Sequence, residues 1–210
     1  MGYEATTASE SIFGRLRQKL CEGNFEPGER ISIRALALAE GTSIMPARDA
    51  VRQLVATGAL QFVDSRSIIV PTLTPESHHD ILNARIYLEG EIARKAFLQL
   101  TQGDLKLLRE FDEAINKAIV EKDVSSYMRN NHAFHFLIYN KGMSPVLLNL
   151  IQILWMRYGP SMRFISVKYG ASNFADDFHH EITEALGAGD AERFVAAIRA
   201  DVKQGMDFLV

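Results

Sequence analysis

The chain has 210 residues, 47% hydrophobic and 23% charged, with a formal net charge of −3. This composition lies near the globular average and excludes a disordered chain or a fibrous repeat; at roughly 150 residues per domain, the length allows one large domain or two small ones. No apolar run approaches the roughly 18 residues of a membrane span, the start MGYEATTASE lacks the basic and apolar regions of a secretory signal, and a single cysteine, Cys21, excludes an internal disulfide. These features point to the cytoplasm and away from a membrane partner.

In chain order, the pattern begins with a helix from Ser9 to about Gly23, with Ile12, Leu16 and Leu20 at helical spacing. A turn follows at Glu26-Pro27-Gly28-Glu29. Ser32 opens a short helix that ends near Gly41. Ser43 or Ile44 opens another, with Ala47, Val51 and Leu54 inward, ending at Gly58. Gln61–Val63 and Ile68–Val70 flank the polar tip Asp64-Ser65-Arg66-Ser67 as a small hairpin. Pro71 and Pro75 then bracket an extended stretch, and Thr74 reads as an N-cap with proline at the first helical position. This places a boundary between residues 1–74 and 75–210. The second part is helical throughout, with six segments: Ile81 to Leu100, a second from Leu105, a third over 124–140, a fourth from Pro145 into the 160s, a fifth from near Ser172 to the Gly187–Asp190 turn, and a sixth that closes the chain. The expected fold class is mainly α, a winged helix-turn-helix followed by an antiparallel helical bundle.

The two parts differ in chemistry. Residues 1–74 hold 8 basic and 8 acidic side chains, whereas residues 75–210 hold 15 and 18 together with all six histidines. A basic face on the first part therefore has to come from arrangement. Two short helices and a hairpin occur in domains that bind only protein and in winged helices, where the second helix of the pair lies in the DNA major groove with its first residues at base edges. These are Ser43, Ile44 and Met45, with Arg48 one turn on and Arg52 at i+4 from it. Arg34 is placed to reach a phosphate, and Arg66 at the wing tip a phosphate or the minor groove. In the second part, Asn131 and His135 share a helical face, and His179 and Asp201 fall on later helices. Brought together inside a bundle, these four suit a divalent metal such as Zn²⁺ or Ni²⁺. They also suit ordinary buried polar groups bonded to each other. His78, His79 and His132 read as exposed, and His180 is an alternative to His179.

The stretch FEPGERISIRALALAEGTSIMPARDAVRQLVATGAL resembles the DNA-binding domain of GntR-type transcriptional regulators: Pro27-Gly28-Glu29-Arg30-Ile31 matches the family's turn, and Leu36-Ala37, Ser43, Pro46, Arg48, Ala50, Leu54 and Gly58 match its helix pair in register. The resemblance implies DNA contacts by Arg34, Ser43, Ile44, Met45, Arg48 and the wing tip. Two positions depart from the family pattern. Ile44 stands where arginine is usual, and it can at most touch a thymine methyl instead of pairing with guanine. Asp64-Ser65-Arg66 stands where the wing tip usually has glycine, and Asp64 is expected to repel phosphate. The second part resembles the all-helical effector domain of the FadR/VanR branch through Arg85–Glu89, Asn131–His135, Ser144-Pro145, His179–Ile182, Glu184–Leu186 and Gly189-Asp190. That resemblance implies metal ligands at Asn131, His135, His179 and Asp201, where the branch has one Asp and three His. It also implies an effector role for Arg85 toward a small organic acid, although Arg85 can instead pair with Glu89 at i+4.

The expected function is a ligand-responsive, homodimeric regulator on a double-stranded operator, and not an enzyme. The alternatives are a metal-dependent enzyme built on His135, His179 and Asp201, or a metabolite-binding protein that has lost DNA binding.

Overall fold

The computed structural model describes residues 8–169 and 177–207, and the side chains of all of these except 165–169. Helix α1 (Ala8–Cys21) buries Ile12, Leu16 and Leu20 on one face. Ser32 caps α2 (Ile33–Ala39), its hydroxyl accepting from the Ala35 amide at 3.0 Å. Helix α3 (Ile44–Ala56) turns Ala47, Ala50, Val51 and Leu54 inward against α1 and α2. A strand absent from the sequence reading, β1 (Arg30–Ser32), joins β2 (Gln61–Phe62) and β3 (Ser67–Ile69) in an antiparallel sheet of order β1-β3-β2, with Ile31 opposite Ile68 and Phe62 also opposite Ile68. Three residues that run straight into a helix show no alternation by themselves. Their pairing is set from outside, by the Gly28 amide on the Val70 carbonyl and the Val70 amide on the Glu29 carbonyl.

Asp64, expected to repel phosphate, also has a structural role. One Asp64 oxygen accepts from the amides of Arg66 (2.7 Å) and Ser67 (2.9 Å), and the other from the Ser67 hydroxyl (2.6 Å) and Arg30 Nη2 (2.7 Å). The Ser67 hydroxyl and the Arg66 amide lead in holding this carboxyl at about 2. A side chain thus closes the wing turn that a glycine would otherwise close by its backbone freedom.

Six helices form the rest of the described chain: α4 (Pro75–Ala96), α5 (Gln102–Glu121), α6 (Val124–Lys141), α7 (Pro145–Tyr169), α8 (Phe178–Ala188) and α9 (Ala191–Asp207). Their starts follow the sequence. Thr74 and Ser77 form a reciprocal capping box on α4, Thr101 and Asp104 another on α5, and Asp123 caps α6. The first of these helices ends at Ala96, not Leu100, and passes into a tight 3₁₀ turn at Phe97–Gln99. The expected start near Ser172 lies outside the described residues; within them α8 begins at Phe178, capped by Asp177. No helix among the described residues is long and apolar enough to cross a membrane.

Helix α7 packs on α4 and α6 and also on α1. The last contact requires a glycine. A Cβ on Gly159 would run into the carbonyl oxygen of Leu20, so α1 and α7 meet backbone to backbone, next to Pro160 inside α7. Arg17 donates to Gln152 (3.0 Å), and Arg163 donates to the Gly23 carbonyl (3.1 Å) and pairs with Glu26 (3.3 Å).

Candidate metal centre and DNA-reading surface

His135 on α6, His179 on α8 and Asp201 on α9 come together. The two Nε2 atoms are 3.4 Å apart, His135 Nε2 is 3.1 Å from one Asp201 oxygen, and His179 Nε2 is 3.7 Å from the other. Three donors bound tetrahedrally to one ion at about 2.1 Å would stand roughly 3.4 Å from each other, so the observed spacings bracket that value. Both imidazoles are nearly buried. Burial pushes His179 below its ordinary pKa, against the pull of Asp201, which favours the neutral form a metal needs. Burial works against the Asp201 carboxylate, but His179 and His135 outweigh it and hold the group at about 2. Asn131, 3% exposed, lines a cavity beside the cluster together with His135, Asp201, Arg85, Tyr158 and Met162. Two imidazoles, one carboxylate and a neutral carbonyl oxygen fit a borderline divalent ion.

The orientation of His135 comes from a buried chain behind it. Glu89, fully buried, accepts from Arg85 Nε (2.6 Å), the Tyr139 hydroxyl (2.5 Å) and Trp155 Nε1 (3.1 Å). Because the Tyr139 proton goes to Glu89, its oxygen is left to accept from His135 Nδ1, 3.1 Å away. That fixes a proton on Nδ1 and aims Nε2 at Asp201 and His179, as a histidine ligand requires of the groups behind it. Arg85 lies between the rings of Trp155 (4.9 Å) and Tyr158 (4.4 Å). The guanidinium thus lines the cavity while its Nε is engaged by Glu89. The cavity measures about 20 Å³, close to the space of one water.

A second donor set, Asp112, Asp177 and His179, offers atoms within 4.8 Å of one another. It is weaker. Asp177 is exposed and caps the His180 amide, and burial, with Asp177 adding, raises Asp112 to about 6.

On the first part of the chain, Ser43, Ile44, Met45, Arg34, Arg52 and Arg66 are all exposed. Arg48 donates from Nη1 to the Ser65 carbonyl at 2.9 Å and so ties α3 to the wing tip. Arg52 lies 3.6 Å from Asp49.

Residues 8–70 match the model of the bacterial regulatory proteins of the gntR family, and residues 80–204 that of the FCD domain. The chain belongs to the GntR family and carries an FCD domain. It is 31% identical to the HTH-type transcriptional regulator McbR of Escherichia coli over 182 residues, covering 84% of this chain and 81% of that one. It is 23% identical to the Nta operon transcriptional regulator of Aminobacter aminovorans over 191 residues, covering 88% and 86%. Among solved structures, E. coli McbR/YncC superposes with a TM-score of 0.86 at 28% identity over 98% of both chains. A GntR regulator from Rhodococcus sp. RHA1 gives 0.73 at 18% identity over 96% of both, a likeness of fold. The protein is a transcriptional regulator with a DNA-binding GntR domain and an FCD effector domain.

Within this GntR regulator, two histidines sit otherwise than the sequence suggested. His132 is half-buried, stacked on Phe136 (4.2 Å) with its edge to Trp155 (5.7 Å), and its pKa is driven down to about 4, chiefly by burial. His78 is half-buried, and its Nε2 lies 3.0 Å from the Met206 carbonyl. His179 faces the cluster and His180 faces solvent. The role of Tyr139 and Trp155 went unread. Tyr139 had a signal, its i+4 spacing from His135; Trp155 had none, because only the packing of α7 brings it to Glu89.

Proposed function

We propose that residues 1–74 read DNA through Arg34, Ser43, Ile44, Met45, Arg48, Arg52 and Arg66, and that residues 75–210 hold a divalent metal, Zn²⁺ or Ni²⁺, on Asn131, His135, His179 and Asp201. A small organic acid is the effector, its carboxylate meeting the metal and Arg85, and a cytoplasmic homodimer presents two heads to a palindromic operator. The observation that carries this reading is the set of three donors at 3.1–3.7 Å, two of which, His135 and Asp201, line a small cavity. The metal would supply a fixed positive charge for the acid. The chain's own residues supply the rest: Glu89 and Tyr139 orient His135, and Arg85 offers its remaining guanidinium N–H groups.

The size of the cavity supports a coupling route. A space of about 20 Å³ admits no organic acid unless a wall moves. Tyr158 and Met162, two wall residues, sit on α7 beside Arg157, Gly159 and Arg163, which meet the DNA-binding part at Gly58, Leu20 and Gly23. Displacing that wall shifts the seat of the head. A ligand then biases operator binding to the extent that it prefers one seating over the other. The homodimer is supported by Met143, just before α7, and by Val146 and Leu150 at its start, all exposed apolar side chains.

The test uses the full-length protein and its own upstream DNA in a mobility-shift assay, with Zn²⁺ or Ni²⁺ and a panel of small carboxylic acids. A metal-dependent change in retardation by one acid, lost in His135→Ala, is expected. Retardation indifferent to every metal and acid, with no metal on elemental analysis, overturns the effector part of the reading. Sedimentation of a 23.5 kDa particle at micromolar concentration overturns the dimer.

A further inference from the structure

The base-facing end of α3 is apolar. Ile44 is 46% and Met45 63% exposed, and Leu38 of α2 is 82% exposed; all three line one shallow cleft between α2 and α3, with Arg34 and Ser43 on its wall. Such a patch on a free surface is costly in water. Exposed arginines lie on the same domain: Arg34 on the cleft itself, Arg52 further along α3 and Arg66 on the wing. Apolar side chains at the helix tip beside an exposed guanidinium complement a groove flanked by phosphates better than a second apolar protein surface.

The side chains also show what this end cannot do. Within the first turn of α3 no residue carries a guanidinium or amide. Arg48, the nearest cation on the helix, already donates to the Ser65 carbonyl, which draws it to the wing. Paired hydrogen bonding to guanine, the commonest specific contact in the major groove, therefore has no donor on α3 itself at the helix tip. The one major-groove feature that an aliphatic side chain recognises is the C5-methyl of a pyrimidine, carried in unmodified DNA by thymine.

Resting on the DNA-reading assignment made above, we propose that Ile44 and Met45 select thymine by its C5-methyl, so that the operator half-site carries A·T pairs where the tip of α3 enters the groove. Arg34, Arg52 and Arg66 supply affinity without sequence choice. Ser43, whose hydroxyl makes no cap bond to α3, stays available to either partner of the pair.

The experiment is selection from a randomised duplex pool by the full-length protein at fixed salt. Each thymine of the selected site is then replaced singly by deoxyuridine, which removes only the methyl group. One or two thymines per half-site are expected to lose roughly three- to fivefold in affinity, the worth of one apolar carbon taken from water. Ile44→Ala or Met45→Ala should make those positions indifferent to the replacement while leaving the salt dependence unchanged. Ile44→Arg should shift the selected base toward guanine. Both side chains are exposed, and an unchanged melting temperature checks each variant. Selection of guanine by the parent protein at the tip positions overturns the inference, as does indifference to every deoxyuridine or sensitivity that survives both alanine variants. A pool that yields no duplex preferred over bulk competitor overturns the DNA-reading assignment itself, and is told apart because specific binding then never arises.

Discussion

The protein uses the same chemical pair in two settings. Arg30 and Asp64 meet at 2.7 Å on the wing with side chains 59% and 46% exposed, whereas Arg85 and Glu89 meet at 2.6 Å in the helical domain with 4% and 0% exposed. The wing pair is one of four bonds to Asp64 and works locally, holding a turn whose amides would otherwise face water. The bundle pair stands in a low-dielectric interior, where a charge without its partner is costly. Glu89 is accordingly enclosed by Arg85, Tyr139 and Trp155, and Arg85 by two aromatic rings. Distance alone does not separate the two pairs; water does.

Breaking the buried pair is the severest test of that contrast. Glu89→Gln leaves the Arg85 charge uncompensated and releases the Tyr139 hydroxyl from its acceptor. Unfolding in denaturant should show a loss of about 3–5 kcal/mol. The exposed counterpart, Asp64→Ala, should leave the denaturation midpoint nearly unchanged and lower operator affinity through a looser wing. Equal effects on global stability in the two variants would refute the distinction.

Next in size is the metal. A ligand that binds only the folded state adds about 2.7 kcal/mol at a hundredfold excess over its Kd. Chelation should lower the melting temperature of the purified protein, and Zn²⁺ or Ni²⁺ should restore it. His135→Ala should abolish this response. His132→Ala should retain it despite some loss of packing, since its ring is stacked on Phe136 beside Trp155.

At the interface with DNA, Arg48→Ala should weaken specific binding by roughly 1–3 kcal/mol. Because Arg48 is bonded to the Ser65 carbonyl, part of that loss should come from a freed wing. Combined with Asp64→Ala, the loss in binding assays should be less than additive.

The smallest effect is in acid. Lys141 and Thr101 outweigh the burial of Asp104 and hold its carboxyl at about 2. A carboxyl depressed in the folded state contributes stability that is present above its unfolded pKa of about 3.9 and lost as pH falls toward its folded value. Denaturation midpoints should therefore drop between about pH 4 and pH 2, and Asp104→Asn should flatten this part of the profile.

Much of this was legible along the chain. Helix starts were marked by Ser32 and Thr74, whose hydroxyls bond amides three residues on and so act within one turn. The inward faces of α1 and α3 followed from 3.6-residue spacing for the same local reason. The short strand β1 was illegible because its partner β3 lies more than thirty residues away. The structural role of Asp64 was not legible from charge alone, because its acceptor geometry exists only once the hairpin has closed.

The sequence by itself determined the residue types available for function: two basic and apolar surfaces near Ser43 and Arg66, and Asn131, His135, His179 and Asp201 on three helices. Only the tertiary structure decided that His135, His179 and Asp201 meet in one cluster, that Glu89 and Tyr139 direct His135 toward it, and that α7 forms both a wall of the adjoining cavity and the seat of α1. Propensity, capping and periodicity act over a few residues and are written locally. Convergence of side chains from α6, α8 and α9, and the space left between them, depends on how whole helices pack, and no local pattern encodes that.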